Sequence, residues 1–255
     1  MSMSVIHYSI YEEKIIERSL FITESDVILG ITGDRAMCGR YLFDVEKDMG
    51  LRMFLQEAQQ RLKGQKTGGE SEETADVFEN GMIFGDGRIK TGEIRPTERA
   101  VMIRQTGCHV YASAGYWGFP FQKKQILLAR LETILEKPMF SESMLYRRCI
   151  VPATGFYEWT HDDLKKKYYF NTGNAAHFYM AGIWRTFENG DHFVIVTTEA
   201  DESTRPVHDR RPVILDWDEA QLWLSDWQSG WKAASLAAPV LNKKCCEEYE
   251  QLTLF

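Results

Sequence analysis

The sequence lacks the features that mark several large classes of protein. It has no Cys-x-x-Cys or His-x-x-x-His pair, so we expect no structural zinc site, and nothing else in it calls for a cofactor. Five cysteines, an odd number without framework spacing, argue against a secreted disulfide scaffold and predict a reducing cytoplasm. No apolar run approaches the length of a membrane span, and the acidic N-terminus does not resemble a secretory signal.

The chain also lacks a positive net charge. Its formal net charge of −7 over 255 residues argues weakly against nucleic-acid binding. Clustering matters more than the total, and arginines gather at Arg147-Arg148 and between Arg205 and Arg211. From charge alone we interpret these arginines as solvated surface residues.

The fold class predicted from the sequence is α+β. There is no internal repeat and no alternation of strands with long helices, which disfavours a doubly wound parallel sheet. Helices are predicted over 45–62, 131–136 and 217–225, the last capped by Asp216. Short runs rich in Val, Ile, Tyr, Phe and Thr predict strands near 100–104, 109–114, 148–151, 156–160, 168–171, 178–184, 192–198 and 212–215.

We expect a single domain with a mostly antiparallel sheet or barrel-like core and flanking helices. Residues 1–37 are interpreted as an N-terminal extension, 38–235 as the domain and 236–255 as a tail.

Three segments have unusual local composition. They are residues 37–41 (MCGRY), residues 147–159 (RRCIVPATGFYEW) and the stretch from Thr197 to Leu215, which contains His208. Trp117-Gly118 and Ala129-Arg130-Leu131-Glu132-Thr133 lie between them. Taken singly, Cys149 is simply a small buried hydrophobe and Glu158 a solvated strand carboxylate.

Together these segments resemble the SOS-response-associated peptidase family, also called abasic-site processing proteins. The family pattern is Cys-Gly-Arg-Phe/Tyr, Trp-Gly, Asn-Ala-Arg-x-Glu-Thr, Cys-x-x-Pro-x-x-Gly-Phe/Tyr-Tyr-Glu-Trp, Thr-Thr-x-Ala and His-x-Arg-Met-Pro-Val-Ile-Leu. The matches keep this order from Cys38 to Leu215. Several ordered motifs are far more specific than any single one.

The resemblance implies that an N-terminal Cys38 captures abasic sites in single-stranded DNA as a thiazolidine. An N-terminal cysteine carries an amine beside a thiol, and this pair condenses with an aldehyde. Glu158 and His208 would be the acid/base groups. Contacts to DNA would come from two tryptophans that stack on bases and from arginines that hold phosphates: Trp117, Trp159, Arg40, Arg130, Arg210 and Arg211.

The sequence departs from the family pattern at three positions. Leu128 replaces the asparagine of Asn-Ala-Arg, and leucine cannot supply the amide hydrogen bonds. The residues before Pro96-Thr97 are Glu93-Ile94-Arg95, where the family has an asparagine or a similar residue. Arg211 replaces a methionine and adds a base.

The residues before Cys38 leave three hypotheses open. Translation starts at Met37, in keeping with Gly33-Asp34, whose codons can contain a GGAG ribosome-binding sequence. Alternatively, residues 1–37 are removed by self-cleavage. In the third case they are retained, and Cys38 then has no free amine.

The last five residues, 251–255 (QLTLF), resemble the peptide by which bacterial proteins dock on the replication sliding clamp. Gln251, Leu252, Leu254 and Phe255 would make the contacts. The alternative is a terminal strand packed on the protein's own core.

Two other readings of the whole chain remain open. One is a thiol peptidase that uses Cys38, His208 and Glu158. The other is a non-catalytic DNA-binding module, which Leu128 favours. For the abasic-site reading, the expected location is the cytoplasm, at the nucleoid.

Overall fold

The computed structural model describes residues 39–44, 51–55, 82–84, 87–162, 164–173, 176–237 and 239–246. Strands dominate this part of the chain. They are β1 Arg40–Phe43, β2 Met82–Phe84, β3 Gly87–Ile89, β4 Gly92–Ile94, β5 Arg99–Thr106, β6 His109–Trp117, β7 Phe119–Phe121, β8 Lys124–Ile126, β9 Leu128–Arg130, β10 Arg148–Ala153, β11 Gly155–Trp159, β12 Lys167–Asn171, β13 Phe178–Phe187, β14 Gly190–Glu199, β15 Arg210–Pro212, β16 Ile214–Leu215 and β17 Asn242–Cys245. The helices are α1 Pro138–Tyr146, α2 Trp217–Ser225 and α3 Trp227–Leu236, with a 3-10 turn at Leu131–Thr133 and a helical segment at 51–55.

Five of the strands form a closed circuit. Strand β14 pairs with β13 and, in parallel, with β6, while antiparallel pairs join β6 to β5, β5 to β10 and β10 to β13. Closure removes free edges and lets residues be buried on both faces of a strand. The run Val194, Ile195 and Val196 in β14 is 0% exposed throughout. The predicted α+β class with a mostly antiparallel, barrel-like core is therefore confirmed.

Helix α2 is fixed to this barrel by one indole. Trp223 is fully buried, and its Nε1–H donates to the carbonyls of Cys149 (2.9 Å) and Gly182 (3.1 Å). Arg148 donates to the carbonyls of Trp223 and Met144, at the ends of α2 and α1. These contacts satisfy carbonyls that a helix end leaves without an intrahelical donor. Arg148 is thus a structural residue and not part of a solvated basic patch.

The second sheet has five antiparallel strands in the order β17-β12-β11-β1-β4. Arg40 in β1 lies opposite Tyr157 in β11, and Trp159 in β11 lies opposite Lys167 in β12. Strand β10 of the barrel leads directly into β11 of this sheet. The segment of the chain richest in motif residues therefore joins the two sheets.

The predicted strands between residues 98 and 215 are all present, with shifts of a few residues at their ends. Helix α2 also begins as predicted, because Asp216 and Glu219 form a reciprocal capping box. The helix predicted over 131–136 is only a 3-10 turn over its first three residues. The helix predicted over 45–62 is described at 51–55, and the rest of that range lies outside the described residues.

Two helices were not predicted. The sequence of α1, PMFSESMLY, has serines among its buried residues, so its apolar period is weak. Helix α3 follows α2 after Asp226 alone, which accepts hydrogen bonds from the amides of Gln228 and Ser229 as its N-cap. A single polar residue between two helices leaves no loop signature in the sequence.

The predicted C-terminal tail begins too early. Residues 242–245 form β17, which pairs with β12 at the edge of the second sheet, and the preceding Leu241 is buried. The sequence NKKC has little strand character, but lysines are common on edge strands. Residues 247–255 lie outside the described part of the chain. No helix among the described residues is long and apolar enough to cross a membrane.

Candidate functional site

The residues predicted to act together are divided between two faces of strand β11. Side chains alternate along a strand, so Glu158 points away from its neighbours Tyr157 and Trp159. Glu158 is 2% exposed, whereas Tyr157 and Trp159 are half-buried. The strand thus carries an acid toward the interior and an aromatic pair toward the outer face of the second sheet. Glu158 is therefore not the solvated carboxylate expected of it when taken singly.

The outer face combines aromatic rings with cations. The Arg40 guanidinium lies 5.5 Å from the Trp159 ring centroid. The Lys167 ammonium lies 4.0 Å from the Tyr157 centroid and 5.6 Å from that of Trp159. The Arg40 Nη1 also pairs with Glu93 at 2.7 Å. We call Arg40, Glu93, Tyr157, Trp159 and Lys167 the aromatic–cationic face.

The start of β1 lies close to this face. A Cβ atom built on Gly39 would lie 3.7 Å from the Trp159 ring, in ordinary contact. Cys38 lies outside the described residues, as do the extension and Gln251, Leu252, Leu254 and Phe255.

His208 is 4% exposed, and its Nδ1 has two neighbours. The Asp209 Oδ1 lies 2.8 Å away, and the backbone N–H of Arg210 points at Nδ1 from 3.1 Å. When Nδ1 carries a proton it donates to Asp209, which leaves Nε2 to exchange protons. When Nδ1 is bare it accepts from Arg210. Both tautomers are supported, which suits a group that takes and returns a proton.

His161 brings the end of β11 to His208. The two imidazole rings lie 4.2 Å apart between centroids, and His161 is only three residues after Glu158. The ligand atoms of His161, His208 and Asp209 lie within 4.8 Å of one another, a spacing that a cation could bridge after a small adjustment. The Nδ1 atom of His208 already faces the backbone N–H of Arg210, so that atom is not open to a cation.

Arg210 is held by a bidentate ion pair. Its Nη1 and Nη2 donate to the two oxygens of Glu132 at 3.1 and 2.8 Å, and Nη2 also donates to the Thr197 carbonyl. Thr198 donates to the same carboxylate. One polar network therefore joins three segments that are far apart in sequence: residues 131–133, 197–198 and 208–210.

Arg130 and Leu128 lie at the two ends of β9, which runs parallel to β14. Leu128 is opposite Ile195 and Arg130 opposite Thr197, so Arg130 is next to the Arg210 network. Arg130 is exposed. Leu128 is partly buried against the core cluster, where its side chain packs as a hydrophobe.

Two predicted DNA contacts need correction. Trp117 is 0% exposed, and its Nε1–H donates to the Leu127 carbonyl at 3.1 Å. Its faces are covered by the core, so in this structure it cannot stack on a base. Arg211 is 3% exposed and donates to the Ala237 carbonyl at 2.9 Å. It lies 3.5 Å from Asp201 and packs inside the protein, where it cannot reach a phosphate.

Cys149, in contrast, matches its ordinary explanation. It is fully buried, and burial raises the pKa of its thiol. A thiol that stays protonated is a poor nucleophile.

Sequence reasoning assigned no role to four residues that the structure brings to the site: Glu93, Glu132, His161 and Lys167. Glu132 lies within the motif at residues 129–133, so of these four residues it was the easiest to predict from the sequence. Glu93 was noted only as a departure from the family pattern. His161 and Lys167 lie outside every motif, and only strand pairing and ring contacts reveal them.

The fold and these groups define an α+β protein in which one strand carries a buried glutamate on one side and part of an aromatic–cationic face on the other. The sequence matches the family described as SOS response associated peptidase (SRAP) over residues 37–252. The match covers most of the chain, which therefore belongs to this family.

Several known proteins are similar to this chain. Abasic site processing protein YedK of Escherichia coli strain K12 is 30% identical over 172 residues, covering 64% of this chain and 78% of that protein. Abasic site processing protein YoaM of Bacillus subtilis strain 168 is 32% identical over 165 residues, covering 59% and 73%. A crystal structure of a Bacteroides thetaiotaomicron protein is 23% identical with a TM-score of 0.56, covering 82% and 91%, which supports the fold.

The positions of the two motif tryptophans predict losses of stability of different size. Trp117→Phe should lower the free energy of unfolding by about 1–3 kcal/mol, because the Leu127 carbonyl loses its buried donor. Trp159→Phe should cost less than about 1 kcal/mol, because it weakens only partly exposed cation–π contacts. Urea unfolding of both variants measures the difference. Equal losses, or a larger loss in Trp159→Phe, would contradict the assignment.

The Glu132–Arg210 pair predicts a specific dependence on pH. Burial acts to raise the pKa of the Glu132 carboxyl, but hydrogen bonds from Arg210, its charge and Thr198 outweigh burial and lower it. This stabilisation is complete above the unfolded-state pKa, about 4.3, and is lost as pH falls through the folded-state pKa. Glu132→Gln should therefore be less stable than wild type at pH 7, with a difference that shrinks in acid.

Thermal unfolding between pH 7 and pH 3 tests this dependence. Glu188→Gln is the matched control, because Glu188 is exposed in the turn between β13 and β14. A stability difference for Glu132→Gln that stays constant with pH would show that the carboxylate charge is not responsible.

Proposed function

We propose that this protein processes abasic sites in single-stranded DNA by forming a covalent thiazolidine with Cys38 as its N-terminal residue. The observation that carries the proposal is the entry of the chain into the second sheet. Strand β1 begins at Arg40 and pairs with β11, the strand that bears Glu158 and Trp159, and the preceding Gly39 lies against the Trp159 ring. The names of the relatives YedK and YoaM, both abasic site processing proteins, point to the same substrate.

The chemistry needs both groups of an N-terminal cysteine. An α-amine has a pKa of about 7.7, so a large part is free base near neutral pH. The amine adds to the aldehyde of the ring-opened abasic sugar and loses water to give a Schiff base. The Cys38 thiolate then adds to the imine carbon, the nitrogen takes a proton and the five-membered ring closes. No oxidant is needed, and water is the only product released.

Two buried groups, Glu158 and His208, supply the proton transfers. Loss of water from the carbinolamine needs an acid, and deprotonation of the amine and the thiol needs a base. His208 has a neighbour for each tautomer, and Glu158 is buried one strand position before Trp159. Arg40, Arg130 and Arg210 lie on elements around these groups and would face the phosphates. Trp159 offers a partly exposed ring to a base.

Exposure of Cys38 is a precondition. Either translation starts at Met37 and the methionine is trimmed, or residues 1–37 are removed by self-cleavage. Self-cleavage would itself be a thiol peptidase activity of Cys38, which the family's name suggests. The intact mass of the natively expressed protein distinguishes the two forms from a retained extension.

The main prediction is a covalent adduct. A chain that begins at Met37, mixed with an abasic single-stranded oligonucleotide, should give a shifted band on a denaturing gel. Cys38→Ala should give none. Glu158→Gln and His208→Ala should slow the adduct by about 100-fold or more, the usual contribution of general acid–base groups.

Cys108→Ala is the matched control, because Cys108 is an exposed free cysteine outside the motifs. It should form the adduct at the wild-type rate. An adduct that persists in Cys38→Ala, or forms as fast with the uncleaved extension, would contradict thiazolidine chemistry.

Leu128 favours a second candidate, a non-catalytic module that binds the strand. A leucine packed on the core cannot hydrogen-bond the reacting sugar as an asparagine amide can. In this case wild type retains the strand on a native gel without a covalent band, and Leu128→Asn restores the band. An adduct with wild type at a rate unchanged by Leu128→Asn excludes this candidate.

The C-terminal residues 251–255 carry a separate proposal, docking on the bacterial sliding clamp. Leucine and phenylalanine side chains would fill an apolar groove, and Gln251 would bond at its rim. Deletion of 251–255 should abolish capture of the protein by immobilised clamp while leaving adduct formation unchanged. Capture that survives the deletion would contradict the proposal.

A further inference from the structure

One carboxylate lies at the centre of the aromatic–cationic face. Glu93 pairs with Arg40 at 2.7 Å, with Lys167 at 3.2 Å and with Arg95 at 3.4 Å. The three cations come from β1, β12 and the residue that follows β4. Three positive groups from separate parts of the sheet therefore converge on a single negative one.

Lys167 and Glu93 meet although their strands, β12 and β4, are not neighbours in the sheet. In the sheet order, β11 and β1 lie between β12 and β4, and neighbouring strands are about 4.8 Å apart. The side chains of Lys167 and Glu93 extend toward each other over these strands and meet at 3.2 Å, with the Lys167 ammonium over the rings of Tyr157 and Trp159. These contacts hold the charge of a flexible lysine at one point of the face.

We propose that the Glu93 carboxylate occupies the position of a phosphodiester in a bound single strand, so that strand binding displaces it from Arg40, Lys167 and Arg95. This inference rests on the proposed DNA-binding function and adds a subsite to it. A carboxylate and a phosphodiester carry the same charge, and both accept paired hydrogen bonds from a guanidinium. The exchange leaves the charge balance of the three cations unchanged.

Exposure allows the exchange. The Glu93 side chain is 26% exposed, and those of Arg40, Lys167 and Arg95 are 35%, 24% and 58% exposed. Ion pairs at such exposure contribute about 0–1 kcal/mol each, so a phosphate can replace them at little cost. The adjacent rings offer stacking to bases, which contributes about 1–3 kcal/mol per base. Glu93 therefore weakens the binding of any DNA single strand whose bases do not stack on these rings and whose sugar does not react with Cys38.

Binding of an undamaged, labelled single strand tests the proposal without depending on the adduct. Anisotropy titrations of the full chain over a range of salt concentrations give affinity and salt slope. Glu93→Gln should bind about three- to tenfold more tightly than wild type. Its slope of log K against log salt should be steeper by about 0.7, the value for one additional phosphate of a single strand.

Glu142→Gln is the matched control. Its carboxylate is also ion-paired, to Arg147 at 3.0 Å, but lies on α1 beside the barrel. It removes the same charge and should leave affinity and slope unchanged. Equal tightening in both variants would show a general effect of net charge and overturn the subsite.

A second variant keeps the test valid if Glu93→Gln does not fold. Lys167→Gln alone should bind the strand more weakly. Where both variants fold, the tightening from Glu93→Gln should shrink in the Lys167→Gln background, because the two residues act through one phosphate. Unchanged binding in Lys167→Gln would overturn the proposal, as would full additivity.

The outcomes separate this inference from the proposed function. Wild-type binding without tightening in Glu93→Gln contradicts the subsite alone. If neither wild type nor Glu93→Gln binds any strand, both proposals fail. Inorganic phosphate is added as a competitor at matched ionic strength. If it competes as effectively per phosphate as the oligonucleotide does, the subsite belongs to a free anion and not to a strand.

Discussion

The antiparallel pairing of β1 with β11 is the constraint on which the arrangement of the site depends. It brings the start of the domain, at Gly39 and Arg40, to the strand that carries Glu158 and Trp159. The two-residue period of β11 then sends Glu158 inward and Trp159 outward. A slip of one residue in this pairing would exchange the two faces. The register therefore decides that Glu158 points inward and Trp159 outward.

The two faces of β11 have different electrostatic surroundings. Inside, Glu158 is almost completely buried, where electrostatic interactions are stronger than in water. Outside, cations and rings remain partly exposed around Glu93, and their ion pairs are weak and replaceable. One strand thus separates a buried carboxylate from a partly exposed aromatic–cationic face.

Arginines among the described residues have distinct uses, which their positions in the sequence do not reveal. Arg148, which is partly buried, and Arg211, which is buried, bond backbone carbonyls, so they stabilise helix ends and loops. Arg210 is held by Glu132 within the polar network. Arg40 lies on the outer face beside Trp159. Neighbouring arginines such as Arg210 and Arg211 point to opposite sides because they alternate along β15.

The sequence by itself determined the family, the α+β class, most strand positions and the cap of α2, because ordered motifs, β-branched runs and a capping box are local signals. The acid/base roles that the sequence suggests for Glu158 and His208 stay predictions. Only the tertiary structure decided that Trp117 is a core residue, that β17 belongs to the sheet and that Glu93 meets three cations. Those facts depend on burial and on pairing between distant strands, and a short window of sequence contains neither.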